Sequence, residues 1–156
     1  MPLLPADPHP VIENPVTVRT LAALPAAGAW DATPTEIACA GFRWVTLFLT
    51  YTRGAAGGAV DYQIQESAFA NDAAAPNEAW FAQSVYNAAV FAAGTDSTSG
   101  RQRELETYTA TGAGAEPFKI GPVSLQGTME RIRIPCRESG DTDNPGTMEI
   151  IAVFNR

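Results

Sequence analysis

Residues 42–52 read FRWVTLFLTYT, and this stretch decides the fold class. Successive side chains of an extended chain point to opposite faces, so Val45, Leu47, Leu49 and Tyr51 share one face and Phe42, Trp44 and Phe48 the other. β-Branched and aromatic residues at this density form strands. A strand apolar on both faces is expected at the centre of a sheet, covered on both sides, with Trp44 in the core. The following RGAAGG (53–58) supplies a turn, after which Val60, Tyr62 and Ile64 alternate with Asp61, Gln63 and Gln65. The two strands are expected to pair as a hairpin.

Working outward, the period stays mostly two. Upstream, strands are expected at Val16–Leu24 and Glu36–Ala40. Residues 1–16 carry Pro2, Pro5, Pro8, Pro10 and Pro15, which fix their own backbone angle and remove donors, so this segment is read as an extended arm preceding a domain at 17–156. Downstream, residues 68–76 and 94–100 are loops. Between them, residues 77–93 are ambiguous: Asn77 could cap an alanine-rich helix, yet Val85, Tyr86, Val90 and Phe91 are strand formers and the flanking elements are β, so strands are preferred. Further strands are expected at Arg101–Ala110, at Pro117–Leu125 with an interruption at Gly121 and Pro122, at Thr128–Glu138, and at Thr147–Asn155. In Thr128–Glu138, Ile132, Ile134 and Cys136 point inward and Met129, Arg131 and Arg133 outward. In the last strand Met148, Ile150, Ala152 and Phe154 line one face. About eight to nine strands separated by Gly and Pro turns give an all-β, two-sheet, jelly-roll-like sandwich.

Composition narrows the function. Charged residues make up 17% of the 156 residues, against about 25% in an ordinary soluble domain, as expected if part of the surface is buried against partners. The formal net charge of −7 argues against nucleic acid bound by phosphate neutralisation. No apolar run approaches the roughly 20 residues of a bilayer span, and residues 1–10 lack the pattern of a secretory signal, so no membrane association is expected. The one histidine, His9, lies between prolines in the arm, and Lys119 is the one lysine, so a serine or cysteine nucleophile would lack a base within the domain. The chain is therefore read as non-enzymatic, with no cofactor or metal.

Other candidates have ordinary readings. Cys39 and Cys136 each fall in phase with inward isoleucines and are read as buried free thiols, a buried disulfide being the alternative. Glu104 and Glu106 share a strand face, as solvated carboxylates often do. Asp141, Asp143 and Asn144 offer alternating oxygens but lack the glycine and distal glutamate of a calcium loop, so an Asx-rich turn is preferred. Arg131 and Arg133 are candidates for pairing with acidic groups on a partner, since the planar guanidinium bonds carboxylates bidentately. Trp30 and Trp80 flank loops and are the candidates for stacking on a glycan.

The segments FRWVTLFLTYTRGAAGGAVDYQIQES (42–67), NEAWF (77–81) and RIRIPCRESGDTDNPGTMEIIAVF (131–154) resemble small jelly-roll-like β-sandwich structural proteins of tailed-bacteriophage virions, in strand rhythm and loop placement over most of residues 30–154. The resemblance implies a capsid decoration or minor head protein, assembled in the host cytoplasm into the virion. Its partners would be the major capsid protein and copies of itself, a trimer at a symmetry axis being one arrangement. The arm, with Pro5, Pro8, His9 and Pro10, would contact a neighbour together with Arg131 and Arg133. The alternatives are a carbohydrate-binding module and another virion component, a tail or head-fibre protein.

Overall fold

The computed structural model describes residues 15–71, 80–82, 84–86, 101–103, 106–125 and 130–156. The arm residues Pro5, Pro8, His9 and Pro10 lie outside the described residues, as do Glu104 and Met129. The strands in chain order are β1 (Val16–Ala23), β2 (Ile37–Ala38), β3 (Trp44–Thr52), β4 (Ala59–Tyr62), β5 (Gln65–Ser67), β6 (Phe81–Ala82), β7 (Ser84–Tyr86), β8 (Arg101–Arg103), β9 (Glu106–Thr109), β10 (Glu116–Ser124), β11 (Arg131–Arg133), β12 (Cys136–Glu138) and β13 (Thr147–Asn155). Within the ambiguous segment, β6 and β7 are strands and Trp80 precedes β6.

Pairing follows the logic of a long hairpin rolled up. β1 pairs with β13, β2 with β11, β3 with β10, and β4 and β5 with β9 and β6, all antiparallel. Rolling brings β13 beside β3, and β11 and β12 beside β5 and β4. One sheet is thus β1-β13-β3-β10. The other is laid down as two ladders, β2-β11-β5-β6 and β12-β4-β9. The segments 59–67 and 131–138 keep a single register through both ladders, bridged at the break by the Gln63 amide donating to the Pro135 carbonyl at 3.2 Å. This is jelly-roll order, and β7 and β8 form an additional antiparallel pair.

The core lies between the sheets. Val45, Leu47, Leu49 and Tyr51 of β3 and Met148, Ile150, Ala152 and Phe154 of β13 meet Val60, Tyr62, Ile64, Ile132, Ile134 and Cys136 from the opposite layer. Phe42 joins this core rather than sharing a face with Trp44, its ring centroid 5.2 Å from that of Phe154. β10 bends at Gly121, whose φ of +107° suits glycine, and its register shifts between Ile120 and Val123.

Two sequence expectations are corrected. The hairpin of β3 with β4 does not form, because both edges of β3 are taken by β10 and β13, and the turn at 53–58 carries the chain across to the other sheet. β3 is central, but its second face is open: Trp44 and Phe48 are 43% and 46% exposed. The apolar pattern of β3 therefore reports two different surfaces, an inner one that packs and an outer one that faces solvent.

Candidate functional site

The sequence RIRIPCRE builds a densely hydrogen-bonded surface on the second sheet. Its even-numbered residues Ile132, Ile134 and Cys136 are buried, so Arg131, Arg133, Pro135 and Arg137 line the outer face of the second sheet. The adjacent chain presents Ser67, Gln65, Gln63 and Asp61 to them in register. Arg133 Nε donates to Gln65 Oε1 at 2.6 Å, and Arg137 Nε to Asp61 Oδ2 at 2.9 Å. Arg131 pairs with Glu36 and donates through Nε to the Phe69 carbonyl at 2.7 Å.

Both candidate tryptophans stack on this ladder. Trp80 takes the guanidinium carbons of Arg131 and Arg133 at 4.7 and 4.3 Å from its ring centroid, and Trp30 takes that of Arg137 at 4.7 Å. Trp80 is 7% exposed and Arg131 8%, so Arg131 keeps its outward phase but is covered, and Trp80 is not the open stacking platform expected. The cause is that the chain after β5 folds back over this face, bringing the Phe69 carbonyl and the Trp80 indole onto the arginines. The structure thus gathers four residues singled out in the sequence, Trp30, Trp80, Arg131 and Arg133, onto one sheet face.

Beside Trp30 lies a groove of about 290 Å³, lined by Trp30, Asp31, Ala32, Pro34, Gln63, Gln65, Arg133 and Pro135. It opens where Pro135 interrupts the arginine alternation. The loop that forms its wall is held by Asp31, whose backbone amide donates to the Cys136 carbonyl at 3.0 Å and whose carboxylate accepts the Cys136 amide at 3.1 Å. Arg19 closes the bracket, bonding both Asp31 oxygens at 2.8 and 2.9 Å. Sequence reasoning missed Asp31, Gln63 and Gln65; the signal was present in Pro135, which stands at the third position of the alternation, between Arg133 and Arg137.

Several carboxyls are set by their surroundings. Glu138 is fully buried and accepts four hydrogen bonds: Ala59 N at 2.9 Å, Gly140 N at 3.3 Å, Tyr51 Oη at 2.8 Å and Gly146 N at 2.9 Å. Burial and this bond to Glu138 push the Tyr51 phenol upward. At Asp61 burial acts to raise the pKa, but hydrogen bonds from Thr107, Arg137 and Ser139 and the charge of Arg137 outweigh it and hold the carboxyl low. Glu116 is lowered to about 2 by hydrogen bonds from the Tyr108 hydroxyl and the Thr111 and Gly112 amides. Glu66, directly across from Ile132 on the inner face, is raised by burial.

The thiols carry no activated chemistry. Cys39 and Cys136 are free and buried; burial, with Glu66 and Glu130 nearby, pushes Cys39 up to about 11, and burial raises Cys136 as well. In the 141–144 turn the Asp141 carboxylate accepts the Asn144 amide at 3.2 Å, the Asx geometry preferred from the sequence.

The first sheet presents a different outer surface. Phe48 sits across from Ile151 on one side and Lys119 on the other, and Thr46 sits across from Val153. With Trp44, Phe48 and the 62%-exposed Leu21 on the edge strand, this sheet carries an open apolar face.

Fold and surface together define a jelly-roll domain with one apolar open face and one face laddered by arginine and tryptophan. Comparison with known proteins returns no matching family model, no matching curated protein and no matching solved structure.

Proposed function

We propose that the chain is a non-enzymatic structural protein of a tailed-bacteriophage virion, a capsid decoration protein that docks on the lattice of the major capsid protein. The observation that carries this reading is the open outer face of the first sheet, where Trp44 and Phe48 stand exposed on a central strand. Apolar side chains fixed on a strand bonded on both sides offer a contact surface that loses little entropy on docking. The jelly-roll order adds support, since this architecture is a common one for capsid domains. In this reading residues 1–14 contribute further contacts to a neighbouring subunit.

The experiment is cosedimentation of the purified chain with purified capsid shells from the particle that contains it. Saturable binding at a fixed number of copies per shell is expected, weakened when residues 1–14 are deleted. Failure to sediment with any shell overturns the docking role, and binding unchanged by the deletion overturns the part given to the N-terminal segment.

A further inference from the structure

We infer that the groove between Trp30 and Arg133 is a binding site for one pyranose unit of a neutral glycan. The inference holds whether or not the chain docks on a shell, since the groove lies on the opposite sheet from the apolar face.

The hydrogen bonding of the groove is directional. Arg133 Nε can only donate, so the Gln65 oxygen that meets it at 2.6 Å must accept. Gln65 Nε2 then donates to Gln63 Oε1 at 3.2 Å. This fixes the last amide of the relay: its oxygen is engaged, and its nitrogen, which meets no acceptor among the described residues, can donate to a ligand. Asp31 also lines the groove, an acceptor whose orientation is fixed by Arg19 and the Cys136 amide. The site therefore offers a donor and an acceptor, each held by a second group, beside the apolar surfaces of Trp30, Pro34 and Pro135.

That pattern selects the ligand. A hydroxyl group both donates and accepts, so it satisfies Gln63 and Asp31 alike. The Asp31 charge is already paired with Arg19, and the Arg133 guanidinium is engaged by Gln65 and Trp80, so the groove is better matched to a neutral ligand than to a free anion or cation. A pyranose ring has a C–H face for the indole and prolines and a rim of hydroxyls for the amide and carboxylate. At about 290 Å³ the groove is at the small end of ligand sites, which run from roughly 300 to 1,000 Å³, as one sugar unit requires. Trp30 is the stacking residue; Trp80 instead holds Arg133 in place from behind.

The test titrates the full chain with maltohexaose, cellohexaose and mannohexaose, and in parallel with an oligogalacturonate, following indole fluorescence and amide chemical shifts. At least one neutral oligosaccharide is expected to bind saturably below ~10 mM, a weak single-unit affinity. The shifts should centre on Asp31, Gln63, Gln65 and Arg133. Gln63→Ala, at a half-buried surface position, should keep the thermal midpoint and weaken binding about tenfold, as loss of one ligand hydrogen bond does. Trp30→Ala should weaken it further; because it also uncovers Arg137, its folding is checked by the same spectra, and Gln63→Ala decides the matter if Trp30→Ala does not fold. Binding of the oligogalacturonate alone, absence of saturation with all three neutral probes, or neutral binding unaltered by Gln63→Ala each overturns the site.

Discussion

Glu138 shows how one side chain can close an end of the sandwich. Its two oxygens gather donors from the end of β3, the start of β4 and the loop before β13, so three separate stretches converge on one carboxylate. Backbone must approach closely for this, and at Gly146 a Cβ would lie 2.3 Å from the Thr52 carbonyl oxygen. Glu138→Gln turns one acceptor into a donor facing donors. The expected loss is about 2–4 kcal/mol, because buried donors are left unsatisfied. Urea unfolding measures it, and a loss below ~0.5 kcal/mol rejects the pin. Glu138 was readable in principle, since it continues the inward phase of Ile132, Ile134 and Cys136, but a carboxylate in that phase signals burial only once its donors are known. Glu66 is the opposite case: buried, with Oε1 lacking a hydrogen-bond partner, and raised by burial. Its folded pKa exceeds the unfolded 4.5, so the folded state holds the proton more tightly. Stability tied to this group is complete below that unfolded value and is lost as pH rises through the folded one. Glu66→Gln stays neutral throughout, so its thermal midpoint should rise relative to the wild type as pH is raised above the unfolded value of 4.5. A difference independent of pH rejects this assignment.

At the scale of elements, alternation was the legible signal and partner choice was not. β1, β2, β3 and β13 stand where the sequence places them, because a period of two survives any pairing. The hairpin of β3 with β4 was wrong for a reason no local pattern contains: β10 and β13, distant in sequence, occupy both edges of β3. RIRIPCRE was legible as to which residues face inward, yet its outer face was covered by the chain around Phe69 and Trp80, a contact spanning some sixty residues for Arg131 and Phe69. The groove lies at Pro135, whose short ring leaves this position without the long donating side chain of the neighbouring arginines. The turn before β10 is a local unit of another kind. Glu116 receives the Tyr108 hydroxyl at 2.7 Å, the Thr111 amide at 3.1 Å, the Thr111 hydroxyl at 3.0 Å and the Gly112 amide, folding residues 108–116 around one carboxylate. Its pKa is depressed to about 2, so the stabilisation is present above the ordinary carboxylate range and is lost as pH falls toward that value. Glu116→Gln should speed hydrogen exchange at the Thr111 and Gly112 amides near neutral pH, with little change at β3. Unchanged exchange at both amides counts against the turn's dependence on this carboxylate.

At the scale of the whole molecule, the two outer faces divide the surface into unlike halves. A jelly roll leaves sheet edges open, and here one edge strand, β10, carries Pro117, Pro122 and an exposed Lys119, while the other, β1, has irregular register against β13. Both features discourage strand-to-strand joining of copies, the usual hazard of an open edge. In the proposed docking role, association would run through the face of the first sheet instead, where Trp44, Phe48 and Ile151 are apolar positions beside Lys119. The low charged fraction, 17% of the chain, is in keeping with the proposed docking, in which part of the surface would be covered. Phe48 separates the folding and docking roles, because its side chain is outside the core. Phe48→Asp should shift stability by no more than about 0.5–1 kcal/mol, as surface changes do, while placing a desolvated charge in the contact. Shell binding should fall at least about tenfold, with the second-sheet groove untouched. Thr50→Asp on the same strand, also outward but across from Pro117 and Glu149, is the control for added charge on this sheet. If Phe48→Asp folds and binds shells as the wild type does, the apolar face is not the docking surface, and contact must be sought on the arginine-laddered side.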